Sequence, residues 1–167
     1  YNEKDKPINL KKYSDSVIKL AKKLKCKIIF EPGRSIVGDT GILLSKIQYI
    51  KKGVKKDFII IDAGMNDFMR PALYDAVHKI IPIKKSKSKL KGTIEFVGPI
   101  CESTCKFGSY KNYQKMSEND FVAITNVGAY GSSLSSNYNS RPLIAELLVN
   151  KNKIKYIRKK QDLLKLI

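Results

Sequence analysis

A change of texture near residue 40 constrains this chain more than any other feature. Before it, apolar residues follow a helical period; after it, the chain breaks into short β-rich runs. Between residues 14 and 25, Val17, Ile18, Leu20, Ala21 and Leu24 recur on one helical face, with Ser14 or Asp15 placed to cap the start. Lys27-Ile28-Ile29-Phe30 reads as a short buried strand that ends at Glu31-Pro32-Gly33-Arg34. Helix, strand and glycine turn make one α/β unit, which predicts the closing portion of a barrel or doubly wound sheet. From Gly41 onward the runs 41–50, 58–63, 78–83, 93–97, 121–127 and 144–149 are short, β-rich and separated by Lys-Gly, Asn-Asp and Asn-Lys turns. They predict a β-sandwich or barrel. The fold class is therefore α/β and then mainly β, with residues 1–40 in the first part and 41–167 in a β-domain. Residues 161–167 read as helical again, and the lysine-serine stretch 84–91 reads as a mobile loop.

Composition narrows the function classes. A length of 167 residues with 43% hydrophobic content supports a packed core. No run of eighteen apolar residues appears, so a spanning helix is not expected. The polar opening YNEKDKPINLKK lacks the apolar centre of a signal peptide, and the expectation is a soluble, cytoplasmic protein. The formal charge of +18 comes almost entirely from lysines dispersed along the chain, which reads as a solvated surface. Neither a nucleic-acid nor a membrane partner is expected. Three cysteines, Cys26, Cys101 and Cys105, do not make a disulfide framework. The pair Cys101 and Cys105 lacks further ligands, with His78 remote in sequence, so no metal is expected.

Four segments carry candidate chemistry. Glu31-Pro32-Gly33-Arg34 ends a strand: its glycine lets amides approach an anion, and Arg34 offers a planar fork for phosphate or carboxylate. It reads equally as a plain turn with an exposed arginine. Arg70 and Tyr74, four residues apart after Asp62-Ala63-Gly64-Met65-Asn66-Asp67, can place a cation beside a phenol, or can be a surface pair. Gly98-Pro99-Ile100-Cys101-Glu102-Ser103 sets a thiol next to a carboxylate, suited to general-acid work or simply a buried inert cysteine. Gly128-Ala129-Tyr130-Gly131 leaves a tyrosine ring accessible to a cofactor, or forms a hairpin turn.

Taken in order, EPGR, DAGMNDFMRPALYDA, GPICES and GAYG…YNSRP resemble the diaminopimelate decarboxylases, which have the alanine-racemase-like fold of pyridoxal-phosphate enzymes. The resemblance runs roughly from Glu31 to Val149. It implies that residues 1–40 are the last units of a pyridoxal-phosphate-binding (β/α)8 barrel and that 41–167 form the C-terminal β-domain. It implies decarboxylation of meso-2,6-diaminopimelate to L-lysine and CO2, with pyridoxal 5′-phosphate as cofactor. By the same resemblance Glu31, Pro32, Gly33 and Arg34 lie against the cofactor phosphate, and Arg34 also reaches substrate. Arg70 and Tyr74 bind the distal end of the substrate, Glu102 takes its distal ammonium, and Tyr130 contacts both cofactor and substrate. Cys101 protonates the carbon left after CO2 departs. In the family the cysteine and glutamate come from the second subunit, so a homodimer with a shared active site is implied.

Arg70 and Glu102 together match a remote zwitterion. Ornithine and arginine decarboxylases of the same fold act on substrates that end in cations, and tend to carry Cys-Asp-Gly where this chain has Cys101-Glu102-Ser103. Those relatives are the alternative reading, with a non-catalytic β-domain module after them. The family usually has an aspartate where this chain has Cys105, which predicts altered local hydrogen bonding. The Schiff-base lysine, the ring-stacking histidine and the glycine-rich loop belong to segments upstream of Tyr1, and His78 matches none of them. The 167 residues alone are thus expected to be inactive, and poorly soluble because strand edges and apolar faces are exposed.

Overall fold

The structure is a computed structural model and describes residues 7–165. Helix α1 spans Leu10–Leu24 and starts earlier than the periodicity suggested. Its cap is Asn9, whose side chain accepts the Lys12 N–H at 2.9 Å, and not Ser14 or Asp15. The Ser14 hydroxyl instead donates back to the Lys11 carbonyl at 3.0 Å, inside the helix. Lys25, at φ 51°, closes the helix by turning its N–H onto the Ala21 and Lys22 carbonyls. No residue of α1 is buried.

The strand expected at 27–30 does not form. Ile29 is 77% exposed and Phe30 52%, and among the described residues no strand pairs with them. A strand needs a ladder partner, so an apolar run without one stays irregular. The chain then makes the short helix α2 (Arg34–Val37) and a 3-10 turn at Gly38–Thr40.

Beyond that turn lies a six-stranded sheet, with strands β1 (Ile42–Lys51), β2 (Asp57–Ile61), β3 (Ile80–Pro82), β4 (Thr93–Val97), β5 (Lys106–Lys111) and β6 (Phe121–Thr125). Their spatial order is β3-β6-β1-β2-β4-β5; β2 and β4 pair in parallel and the other pairs are antiparallel. β1 serves both halves of the sheet. Ile42–Lys46 pair with β6, and Ile47 to Lys51 pair with β2 across a register shift between Ile47 and Tyr49. Such a bulge bends the strand and raises its twist, which curls the sheet around its inner face. That face holds Leu43, Ile47, Ile59, Ile61, Ile94, Phe96, Phe107, Val122 and Ile124, and Phe68 packs into the same core.

Two strands escaped the sequence reading. β5 offers one deeply buried apolar side chain, Phe107, and β8 (Lys153–Arg158) alternates lysines with apolar residues. Among the described residues β8 pairs with β7 (Glu146–Asn150) and no other strand, and this hairpin leaves Leu147, Leu148, Val149, Ile154, Tyr156 and Ile157 exposed. Of the helix expected over 161–167, residues 166 and 167 lie outside the described residues, and the described part makes one 3-10 turn, Leu163–Lys165. Residues 84–91, read as a mobile loop, are tied to the strand-edge segment 113–115. Leu90 N–H donates to the Tyr113 carbonyl at 2.7 Å, and Lys115 N–H to the Ser88 carbonyl at 2.9 Å. No helix among the described residues is long and apolar enough to cross a membrane.

Candidate active site

The DAGMND segment leaves β2 at the point where β1 changes partner. Asp62 Oδ1 accepts the Ser45 hydroxyl at 2.5 Å and the Lys46 N–H at 2.9 Å, clasping the two strands. Asp67 then closes a tight turn by accepting the Gly64 N–H at 2.7 Å and the Asn66 side-chain amide at 3.1 Å. Burial pushes the Asp67 carboxyl above its ordinary range, opposed by the Gly64 N–H and the Arg141 charge. Phe68 drops into the core, and helix α3 (Arg70–Tyr74) follows, with a proline in its first turn and Asp75 at φ 50° after its end. The turn thus fixes where α3 begins and aims its first side chain.

That side chain is Arg70, 9% exposed, lying between two phenol rings. Its Cζ is 5.6 Å from the Tyr74 ring centroid and 5.4 Å from that of Tyr130. Both distances suit cation–π attraction, which is stronger for a desolvated guanidinium. Tyr130 sits at φ 61°, a backbone region costly for a tyrosine, and remains 48% exposed. The surface-pair alternative for Arg70 and Tyr74 is set aside, because the arginine is buried.

The GPICES segment connects β4 to β5. Gly98 N–H donates to the Cys105 carbonyl at 2.9 Å, closing the loop that carries Cys101 and Glu102. A Cβ on Gly98 would lie 2.6 Å from both the Ala63 carbonyl oxygen and Cys105 Sγ, so only glycine fits there. Cys105 is buried, and its Sγ accepts the Met65 N–H at 3.3 Å. Cys101 is exposed and is therefore not the inert buried thiol that its residue type alone suggests. Glu102 Oε1 accepts the hydroxyl of Tyr138 at 2.5 Å.

The segment after β6 binds the other motifs together. Arg141 Nη2 donates to the Asp62 carbonyl at 2.8 Å and lies 3.7 Å from Asp67 Oδ2. Ser136 N–H donates to the Asn66 carbonyl at 2.9 Å. Glu31, Pro32, Gly33 and Arg34 are exposed and lead into α2. The residues just after them pack on the Tyr130 turn: Gly128 N–H donates to the Gly38 carbonyl at 3.1 Å, and Val127 N–H to the Gly41 carbonyl at 3.0 Å. All four motifs are thus linked: Arg70 through Tyr130, Glu102 through Tyr138, and the Glu31–Arg34 segment through the backbone at Gly128. The sequence reading had Asn66, Asp67, Tyr138 and Arg141 inside two of the motifs but gave them no role. The signal for them was present in a rigid aromatic and an arginine set among serines and asparagines.

This curled sheet with motif-bearing loops is the C-terminal sheet domain of a pyridoxal-dependent decarboxylase: the family so described matches residues 13–128, and the chain belongs to it. The relatives point to one branch. The diaminopimelate decarboxylase of Aquifex aeolicus is 41% identical over 97% of this chain and 38% of its own length. The crystal structure of the Helicobacter pylori diaminopimelate decarboxylase complexed with L-lysine superposes with a TM-score of 0.86 at 43% identity, covering 98% of this chain and 40% of that one. That of the M. jannaschii enzyme in co-complex with L-lysine gives 0.86 at 37% identity, covering 99% and 39%. The chain spans about two fifths of the length of the relatives it matches.

Proposed function

We propose that this chain is the C-terminal part of a diaminopimelate decarboxylase, which converts meso-2,6-diaminopimelate to L-lysine and CO2 in the cytoplasm. Residues 1–40 complete the cofactor-binding barrel and residues 41–167 form the β-domain. The observation that carries the reading is that both charges are held in place, Arg70 against the Tyr74 and Tyr130 rings and Glu102 under the Tyr138 hydroxyl, so that pairing two copies of the chain supplies one of each to a site. One fixed cation and one fixed anion suit the amino-acid group at the far end of diaminopimelate. Ornithine and arginine end in cations alone and leave Arg70 without a purpose.

The residues present fit pyridoxal 5′-phosphate. Nothing lies within 4 Å of the place where a Cβ on Gly33 would sit, so the chain's own packing does not demand glycine there. An open glycine before α2 instead leaves room for a phosphate to approach the backbone. Glu31, Pro32, Gly33 and Arg34 would hold the phosphate side, with the half-exposed Tyr130 against the cofactor. When bound, the cofactor supplies the electron sink that lets the α-carboxylate leave as CO2.

The chain's own groups do the rest. Arg34, Arg70 and Tyr74 orient the substrate through its carboxylates, and Glu102 takes the distal ammonium. Cys101, exposed on its turn, carries at Sγ the proton for the carbon that has lost CO2. Cys101 and Glu102 serve the site of a second copy of the chain, so the working unit is a homodimer.

The test is CO2 release by the full-length protein from meso-diaminopimelate, ornithine and arginine, before and after Cys101→Ala. Release from diaminopimelate alone, reduced about a hundredfold or more in the variant, is expected. Release only from ornithine or arginine, or none from any of the three, would overturn the reading.

A further inference from the structure

Glu102 sits in the exposed turn between β4 and β5, where little besides the backbone holds it. Its N–H donates to the Ile100 carbonyl at 2.8 Å and its carbonyl accepts the Cys105 N–H at 3.0 Å. Neither bond constrains the side chain, and a free glutamate samples many rotamers. The hydroxyl of Tyr138 removes that freedom by donating to Oε1 at 2.5 Å.

Tyr138 is well placed to impose an orientation, because its own segment is fastened on both sides. Before it, Ser136 N–H donates to the Asn66 carbonyl at 2.9 Å. Asn137 Nδ2 donates to the Arg141 carbonyl at 2.8 Å and to Gln161 Oε1 at 2.7 Å. After it, Arg141 grips the Asp62 carbonyl at 2.8 Å. A tyrosine adds only two rotatable bonds between this brace and the carboxylate. The hydrogen bond to Glu102 and the Glu102 charge raise the phenol's pKa above its ordinary value, which favours the protonated, donating hydroxyl.

We propose that Tyr138 is the positioning residue for Glu102: it transmits the rigid placement of the 136–141 segment to the carboxylate that reads the substrate's distal ammonium. The bond to Oε1 leaves the carboxylate with acceptor sites to spare. This rests on the functional reading above and adds to it a group that selects substrate without touching the reacting carbon.

The experiment is steady-state kinetics of the full-length enzyme carrying Tyr138→Phe, Glu102→Ala or both. Tyr138 is 44% exposed, so the phenylalanine variant should melt with the wild type. Its KM for diaminopimelate and its inhibition constant for L-lysine should each rise about five- to tenfold, with kcat within twofold. In the Glu102→Ala background the same substitution should have no further effect, since the group it positions is gone. Kinetics identical to wild type in Tyr138→Phe, or the same KM change in both backgrounds, would overturn the assignment. A wild-type enzyme inert toward diaminopimelate would overturn the functional reading as well, which separates the two failures.

Discussion

Arg70 lies 5.4 Å from the centroid of the Tyr130 ring, so the helix that follows β2 and the turn that follows β6 meet at a single cation. The contact depends on two backbone features: α3 begins at Arg70 because Asp67 closes the turn before it, and Tyr130 takes φ 61°. A planar guanidinium can stack on a ring and still present its edge to a carboxylate.

Lysine keeps the charge at this position but loses the planar fork. Arg70→Lys in the full-length enzyme should raise KM for diaminopimelate about tenfold or more, with a smaller loss in kcat. Steady-state kinetics checks it, and an unchanged KM would remove Arg70 from the substrate site.

Two glycines should answer differently to the same substitution. A Cβ on Gly128 would lie 1.9 Å from the Val37 carbonyl oxygen and 3.0 Å from Gly41 N, both backbone atoms that cannot move aside. Gly128→Ala should therefore destabilise the fold by about 3 kcal/mol or more, seen as a large drop in Tm. Gly33→Ala meets nothing within 4 Å and should leave Tm unchanged while weakening cofactor binding. A titration followed by cofactor absorbance reads the second effect; normal affinity would show that no phosphate approaches Gly33.

His78 is 1% exposed, donating from Nδ1–H to the Thr125 carbonyl at 3.0 Å and packed edge-on to Phe68. Burial lowers its pKa below the ordinary 6.5, against the Thr125 carbonyl and with help from the Arg70 charge. The unfolded chain therefore binds the proton more readily than the folded one. This contribution is fully present above pH 6.5 and is lost as pH falls through 6.5 toward the depressed folded value. Melting curves between pH 7.5 and pH 5 should show that loss as a falling Tm (about these limits, set by the histidine range). His78→Gln should flatten the slope in that interval. An equal slope in the variant would assign the pH dependence to other groups.

Cys105 and Cys101 should separate stability from chemistry. Cys105→Ala removes a buried sulfur and the acceptor of the Met65 N–H, and should cost about 1–2 kcal/mol of stability with kcat within twofold. Thermal melts paired with turnover measurements decide it; a collapse of kcat in folded Cys105→Ala would place this thiol in the chemistry instead.

The strands that the sequence revealed are those with a continuous apolar signal. β1, β2, β4 and β6 fall close to the runs 41–50, 58–63, 93–97 and 121–127, because their buried positions read directly as apolar residues. β5 and β8 stayed hidden because their lysines and polar residues face solvent, and a sheet edge or isolated hairpin tolerates that pattern. The apolar run 27–30 failed in the opposite sense, having the composition of a strand without a neighbour to pair with. The start of α1 was misplaced because a serine inside a helix and a serine capping one look alike until the hydroxyl's partner is known.

The order of textures and the four motifs are local properties, so residue type and spacing alone determined them; the roles of Glu31, Pro32, Gly33, Arg34, Arg70, Tyr74, Cys101, Glu102 and Tyr130 are what the resemblance of those motifs to a known family implies. Only the tertiary structure decided that Arg70 meets the Tyr130 ring, that Tyr138 holds Glu102 and that Arg141 ties Asp62 to the loop after β6. Those contacts join residues far apart in the chain. Their formation depends on the register by which β1 pairs with β6 at one end and β2 at the other, and no short stretch of sequence encodes that register.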